Sequence, residues 1–163
     1  VQQNKTKILG IDPGMSGAIA VFEMDRLVDV LDMPVVETQA GKKKKRRISP
    51  EMLTAELEKY APFVERAYIE SVHAMPGQGV SSMFAFGEAF GLARGVMAGL
   101  KISTQLVSPA SWKRGLKLAA GKDASRAMAA QLWPYAAGLF KRQRDDGRAE
   151  AALIAYWGLH HAP

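Results

Sequence analysis

The chain contains no cysteine. That absence excludes a disulfide framework, thiolate-ligated zinc or iron–sulfur centres, and cysteine nucleophile chemistry, and it is compatible with an intracellular setting. Long apolar runs are also lacking. The longest stretch without Lys, Arg, Asp or Glu, Ser71 to Gly87, contains His73, Pro76, Gly77 and Gly79 and does not read as a bilayer span. No N-terminal segment reads as a secretory signal, and the first residue is Val1 rather than Met. What is present is the composition of a globular protein: 163 residues and 17.7 kDa, with 48% hydrophobic and 23% charged residues. That length suits one domain able to build its own core and excludes two-domain kinases.

Acidic excess is absent too, and the surplus of positive charge is local. Lys42, Lys43, Lys44, Lys45, Arg46 and Arg47 contribute six charges, equal to the whole formal net charge of +6. Six adjacent cations repel one another and cannot be buried, so the run is expected to form a flexible basic loop at about residues 40–48 that awaits a polyanion. Nucleic acid is the expected partner; a solvated loop or a localisation signal is the alternative.

Hydrophobic pattern and turn residues divide the chain. Lys7 to Asp12, Gly17 to Phe22 and Leu27 to Pro34 read as three strands of an antiparallel meander. Ser49-Pro50-Glu51 combines an N-cap, a first-turn proline and an early acid, and Leu53, Leu57 and Tyr60 follow at helical spacing. Ala67 to Val72 reads as a strand, about Ser81 to Leu100 as a long helix, and Ile102 to Val107 as a fifth strand. Helices are expected over about Pro109 to Leu116 and Asp123 to Trp133, the second stopped by Pro134, and a last one starts near Gly147. Three strands followed by alternating helix and strand indicate an α/β fold, a mixed five-stranded sheet with helices on both faces. In the long helix Gly87, Gly91, Gly95 and Gly99 recur every four residues. Each glycine costs a helix about 1 kcal/mol relative to alanine, so a close backbone approach is expected there, within the chain or at a dimer seam.

Acids stand at informative places. In Ile8-Leu9-Gly10-Ile11-Asp12-Pro13-Gly14 an apolar strand ends on a carboxylate before a turn, and Ala67-Tyr68-Ile69-Glu70-Ser71 repeats the arrangement. If the two strands are neighbours, Asp12 and Glu70 converge. On the last helix Glu150 has Leu153, Ile154 and Trp157 at i+3, i+4 and i+7, which places it on the apolar face, with Asp146 a turn earlier on the same side. Carboxylates on a buried face are costly without a cation. Asp12, Glu70, Asp146 and Glu150 together suit divalent metal, and oxygen ligands without cysteine favour Mg²⁺ or Mn²⁺. Two such ions about 4 Å apart activate a water and stabilise the leaving oxygen of a phosphodiester. The competing view is that Asp146 simply caps its helix. Other motifs are weaker. Gly115 to Gly121 before Lys122 lacks the spacing and hydroxyl of a phosphate loop, His160-His161 reads as surface, and no Ser-His-Asp arrangement is present.

Gly10-Ile11-Asp12-Pro13-Gly14 with Ser16-Gly17, Ile69-Glu70-Ser71-Val72, and Asp146-Gly147-Arg148-Ala149-Glu150-Ala151 together resemble the RuvC family of Holliday-junction resolvases over nearly the whole chain. Pro109-Ala110-Ser111-Trp112-Lys113 resembles a segment of its compact phage-type members. The resemblance implies an RNase H-like fold, a homodimer, and Mg²⁺-dependent nicking of two symmetric strands of a four-way DNA junction, in a cytoplasmic, DNA-associated setting. By the same resemblance Asp12 is the first-strand acid and Glu70 that of the fourth strand. Cellular members close the site with two aspartates three residues apart. Here Glu150 takes the second position, Gly147 stands where the first is expected, and Asp146 is the substitute, with Asp145 as the alternative. His73 stands where the family often has an aromatic inserted at the junction centre, and Lys113 and Lys122 fall where it presents basic residues to the scissile backbone. An RNase H-like nuclease acting on RNA or hybrid, and a branched-DNA-binding protein without catalysis, are the other readings.

Overall fold

A computed structural model describes residues 6–41, 43–74, 76–121 and 123–161. Three strands open it, β1 (Lys7–Asp12), β2 (Ala18–Glu23) and β3 (Arg26–Asp32), as an antiparallel meander. A hairpin of β4 (Val35–Ala40) and β5 (Lys43–Ile48) follows, then α1 (Pro50–Glu58), β6 (Val64–Glu70), α2 (Val80–Gly99), β7 (Thr104–Val107), α3 (Pro109–Gly115), α4 (Ala124–Leu132) and α5 (Asp146–His161). The five-stranded sheet has the order β3-β2-β1-β6-β7, with β6 parallel to β1 and β7. Local chemistry explains the helix starts. Ser49 accepts from the Met52 amide at 3.2 Å and Ser108 from the Ser111 amide at 3.1 Å, each followed by a proline whose missing N–H costs nothing in the first turn.

The pleat sorts the sheet into two cores. Leu9, Ile11, Ile19, Val21, Ala67 and Ile69 pack with Leu53 and Leu57 of α1 and Ala89 and Met97 of α2. Ile8, Ala18, Ala20, Phe22 and Tyr68 face the other way, onto Trp112 of α3 and Ala151, Leu153 and Ile154 of α5. Side chains alternate along a strand, so Asp12 shares the α5 face with Ile8, and Glu70 shares it with Tyr68. Gly10 permits this layer to close. A Cβ there would overlap the Ala151 carbonyl oxygen and the Ala155 backbone nitrogen, so α5 lies directly on β1 only because Gly10 has no side chain.

Two expectations are corrected. From Lys43 on, the basic run is a strand, paired with β4 from Val35↔Ile48 to Ala40↔Lys43. Alternation sends neighbouring cations to opposite faces, about 7 Å apart along each face, and Glu37 stands opposite Arg46 and 3.2 Å from Lys44 Nζ. Repulsion is thereby divided and partly compensated. The glycine stripe of α2 meets no other element among the described residues: a Cβ at Gly87, Gly91, Gly95 or Gly99 finds nothing within 4 Å beyond its own helix backbone. Those glycines make an outward surface rather than an intramolecular contact.

Candidate active site

β1 and β6 are parallel neighbours with Ile11 paired to Ile69, so Asp12 and Glu70 emerge side by side at their carboxyl ends. Pro13-Gly14 turns the chain away, and the Gly14 amide donates to Asp12 Oδ1 at 3.3 Å. α5 supplies the opposing wall. A Cβ at Gly147 would overlap the Ser16 carbonyl, so this glycine lets the first turn of α5 touch the loop that follows Asp12. Glu150, one turn on, then faces the strand ends.

Three carboxylates thus share one half-buried space with, among the described residues, one ammonium. Lys113 Nζ stands 3.4 Å from Glu150 Oε1 and 5.0 Å from the centroid of the Trp112 ring. Trp112 is fully buried and its Nε1 donates to Glu70 Oε1 at 2.8 Å. Burial, then the charges of Glu150 and Glu70, push the Asp12 carboxyl up to about 7, against the opposing pull of the Gly14 amide and Lys113. Glu70 is also raised, chiefly by burial, with the Trp112 bond working against the rise.

The remaining expected positions lie apart. Asp146 Oδ1 accepts from Arg126 Nε at 2.7 Å, and Arg126 also bonds Asp123. Asp145 is 1% exposed and is gripped by Arg142, whose guanidinium and backbone amide together outweigh the effect of burial and hold the carboxyl below its usual range. Arg148 clamps the end of β3 to α5 through two 2.6 Å bonds to Asp32. Asp146 and Asp145 are each bonded to an arginine, and neither is among the charges that raise Asp12 or Glu70. His73 is exposed in the loop after β6 and lines an apolar groove of about 380 Å³ with Phe84 and Phe86. Lys44, Lys45, Arg46 and Arg47 are exposed on the hairpin. Lys42 and Lys122 lie outside the described residues, as does the Lys43 side chain.

Sequence reasoning missed the bond from Trp112 to Glu70. A tryptophan on the inner face of a short helix was visible in Pro109-Ala110-Ser111-Trp112, but its acceptor lies 42 positions away.

The donor set fits a hard divalent cation in chemistry and charge. It offers only oxygen, it is a cluster of acids in which Asp12 is pushed up by burial and then by its neighbours, and Lys113 already holds one cationic group against it. Among the described residues no three acidic or histidine side chains stand close enough to hold an ion as they are placed; Glu150 would exchange Lys113 for the cation.

The structure of Thermus thermophilus RuvC in complex with a Holliday junction substrate superposes with a TM-score of 0.56, over 96% of this chain and 97% of that one, at 16% identity. The chain has the RuvC fold. A second Thermus thermophilus RuvC structure gives 0.49 over 93% of this chain and 95% of that one, at 16% identity. In sequence, 100 residues are 32% identical to the Holliday junction resolvase MOC1, chloroplastic, of Chlamydomonas reinhardtii; they are 60% of this chain and 11% of that protein. No protein-family model matches. The RuvC fold is the RNase H-like architecture expected from the sequence, including the antiparallel first three strands.

Proposed function

We propose that this chain is an endodeoxyribonuclease that resolves four-way DNA junctions by metal-dependent hydrolysis of phosphodiester bonds. The observation that carries the reading is the placement of Asp12 and Glu70 at the ends of adjacent parallel strands, opposite Glu150 on α5. The identity to MOC1, whose name is that of a junction resolvase, supports the choice of branched DNA among nuclease substrates.

In this reading Asp12, Glu70 and Glu150 would hold Mg²⁺, or Mn²⁺, two ions per site being the expectation from the sequence. The cation when bound supplies charge neutralisation at the phosphate and lowers the pKa of the attacking water. Trp112 keeps the Glu70 carboxylate oriented. Lys113, released from Glu150, turns its ammonium to the phosphate backbone. The basic hairpin and His73 extend the DNA surface. Two chains act as a homodimer through the outward face of α2, where Gly87, Gly91, Gly95 and Gly99 leave the backbone open and Val80 and Phe84 are 83% and 73% exposed. No helix among the described residues is long and apolar enough to cross a membrane, and a cytoplasmic, DNA-associated location goes with the proposal.

The deciding experiment compares a synthetic four-way junction with linear duplex and RNA/DNA hybrid, with and without Mg²⁺. Paired, Mg²⁺-dependent incision of the junction is expected. Preference for the hybrid would make the chain a broader RNase H-like nuclease, and tight binding without incision would make it a branched-DNA-binding protein.

A further inference from the structure

Trp112 is among the largest side chains that are wholly enclosed. Indole has one polar atom, and that atom can only donate. It meets Glu70 Oε1 at 2.8 Å. The terminal torsion of a glutamate is broad and weakly restrained, so a carboxylate at a strand end does not by itself present a fixed face. A donor on a rigid ring, enclosed on every side, fixes one. The ring is held in turn by the start of its helix, where the Ser108 and Ser111 hydroxyls are 2.7 Å apart and Ser108 caps the Ser111 amide. One bond occupies one of about four lone-pair directions of a carboxylate. Among the described residues Oε2 has no hydrogen-bond partner and can take a second one.

We propose that Trp112 is a positioning residue of this site, its N–H fixing the Glu70 carboxylate in the orientation that receives the divalent cation. The role rests on the metal-site reading above. It assigns to the buried tryptophan of Pro109-Ala110-Ser111-Trp112 a function in ion binding that ring packing alone would not have. Packing requires the shape of the indole; orientation of Glu70 requires the N–H. The two are separable by chemistry.

The test uses the full chain without DNA and Mn²⁺ as the probe, with affinity measured by calorimetry or by the paramagnetic resonance of the free ion. Trp112→Phe removes the donor and some volume; benzothienylalanine placed at position 112 keeps the bicyclic shape and replaces the N–H with sulfur, so it controls for folding. Both are expected to weaken Mn²⁺ binding by about 10–100-fold, the usual effect of losing a hydrogen-bond partner of a ligand. In junction cleavage kcat should fall while KM for the junction is unchanged. In a Glu70→Ala background, which has no side-chain acceptor at that position, the same replacements should leave Mn²⁺ affinity unaltered, since the group they act through is gone. Unchanged affinity in the benzothienylalanine protein would overturn the role, as would an equal loss in the Glu70→Ala background. A wild-type chain that binds no Mn²⁺ would instead overturn the metal site, and this role with it.

Discussion

Arg126 Nε donates to Asp146 Oδ1 at 2.7 Å, and the pair ties α4 to the first turn of α5. It separates the two acids of that turn into different tasks: Asp146 answers a guanidinium, and Glu150 faces the strand ends. Asp146→Asn is therefore expected to lower Tm slightly and to leave most cleavage activity in place. Asp12→Asn, Glu70→Gln and Glu150→Gln should reduce cleavage to background with junction binding nearly intact, because each removes an anionic ligand and no cationic surface. Melting curves and single-turnover cleavage of the same preparations check both statements. Complete loss of cleavage in Asp146→Asn would return that residue to the metal set.

The Asp12 carboxyl provides a pH signature. Its pKa in the folded chain is raised to about 7 from 3.8, by burial first and then by Glu150 and Glu70. Between those values the folded chain keeps a proton that the unfolded chain has released. Metal-free stability is therefore greatest in mild acid and declines as pH rises toward 7, by something on the order of 2–4 kcal/mol. Asp12→Asn should flatten that decline and be more stable than wild type at pH 7.5 in EDTA. Mg²⁺ should raise the wild-type Tm more at pH 8 than at pH 5, since it competes with the proton for the same oxygens. Identical pH profiles for wild type and Asp12→Asn would show that this carboxyl is not the source.

The legible parts of the site were those set by local pattern. Ile11-Asp12-Pro13-Gly14 shows an acid where a strand must end, and Glu150 shows an acid on an apolar helix face; both follow from periods of two and 3.6 residues. The strands and helices themselves were legible for the same reason. What remained hidden depends on partners remote in sequence. Asp146 looked free because Arg126 lies 20 positions away, and Trp112 looked merely apolar because Glu70 lies 42 positions away. The hairpin was hidden for a different reason. Lysine is depleted in strands, and only the register of Glu37 against Arg46 reveals how the repulsion in the run is divided. The glycine stripe gave its period but not its neighbour.

The hairpin makes a prediction that a disordered loop would not. Lys44 and Arg46 share a face with Glu37, whereas Lys45 and Arg47 share the other with Val36 and Thr38 and no acid of the hairpin. DNA phosphates should favour the uncompensated face. Lys45→Ala with Arg47→Ala is expected to reduce the slope of log affinity against log salt by about 0.9 per lost phosphate contact, and Lys44→Ala with Arg46→Ala to reduce it less. Equal losses from the two pairs would mean that the run acts as unstructured charge.

Resolution of a two-fold symmetric junction needs incisions at symmetry-related phosphates, and a C₂ dimer presents two identical sites to them without a second kind of active centre. The outward α2 surface, where an added Cβ at Gly91 meets nothing within 4 Å among the described residues beyond its own helix backbone, is where the two chains would meet. Gly91→Glu places bulk and charge at the middle of that surface, on an exposed position whose Cβ has room. It should yield monomers that fold normally and fail to resolve junctions. Mixed dimers test the same idea from the chemistry. A wild-type chain paired with an Asp12→Asn chain should nick one strand and release few resolved products, since the inactive half still holds its arm of the junction. If one chain sufficed, mixtures would resolve junctions in proportion to their wild-type fraction, and sedimentation would find a single chain per junction. That result, together with full activity in Gly91→Glu, would sink the dimer and leave the exposed glycine face without a role in resolution.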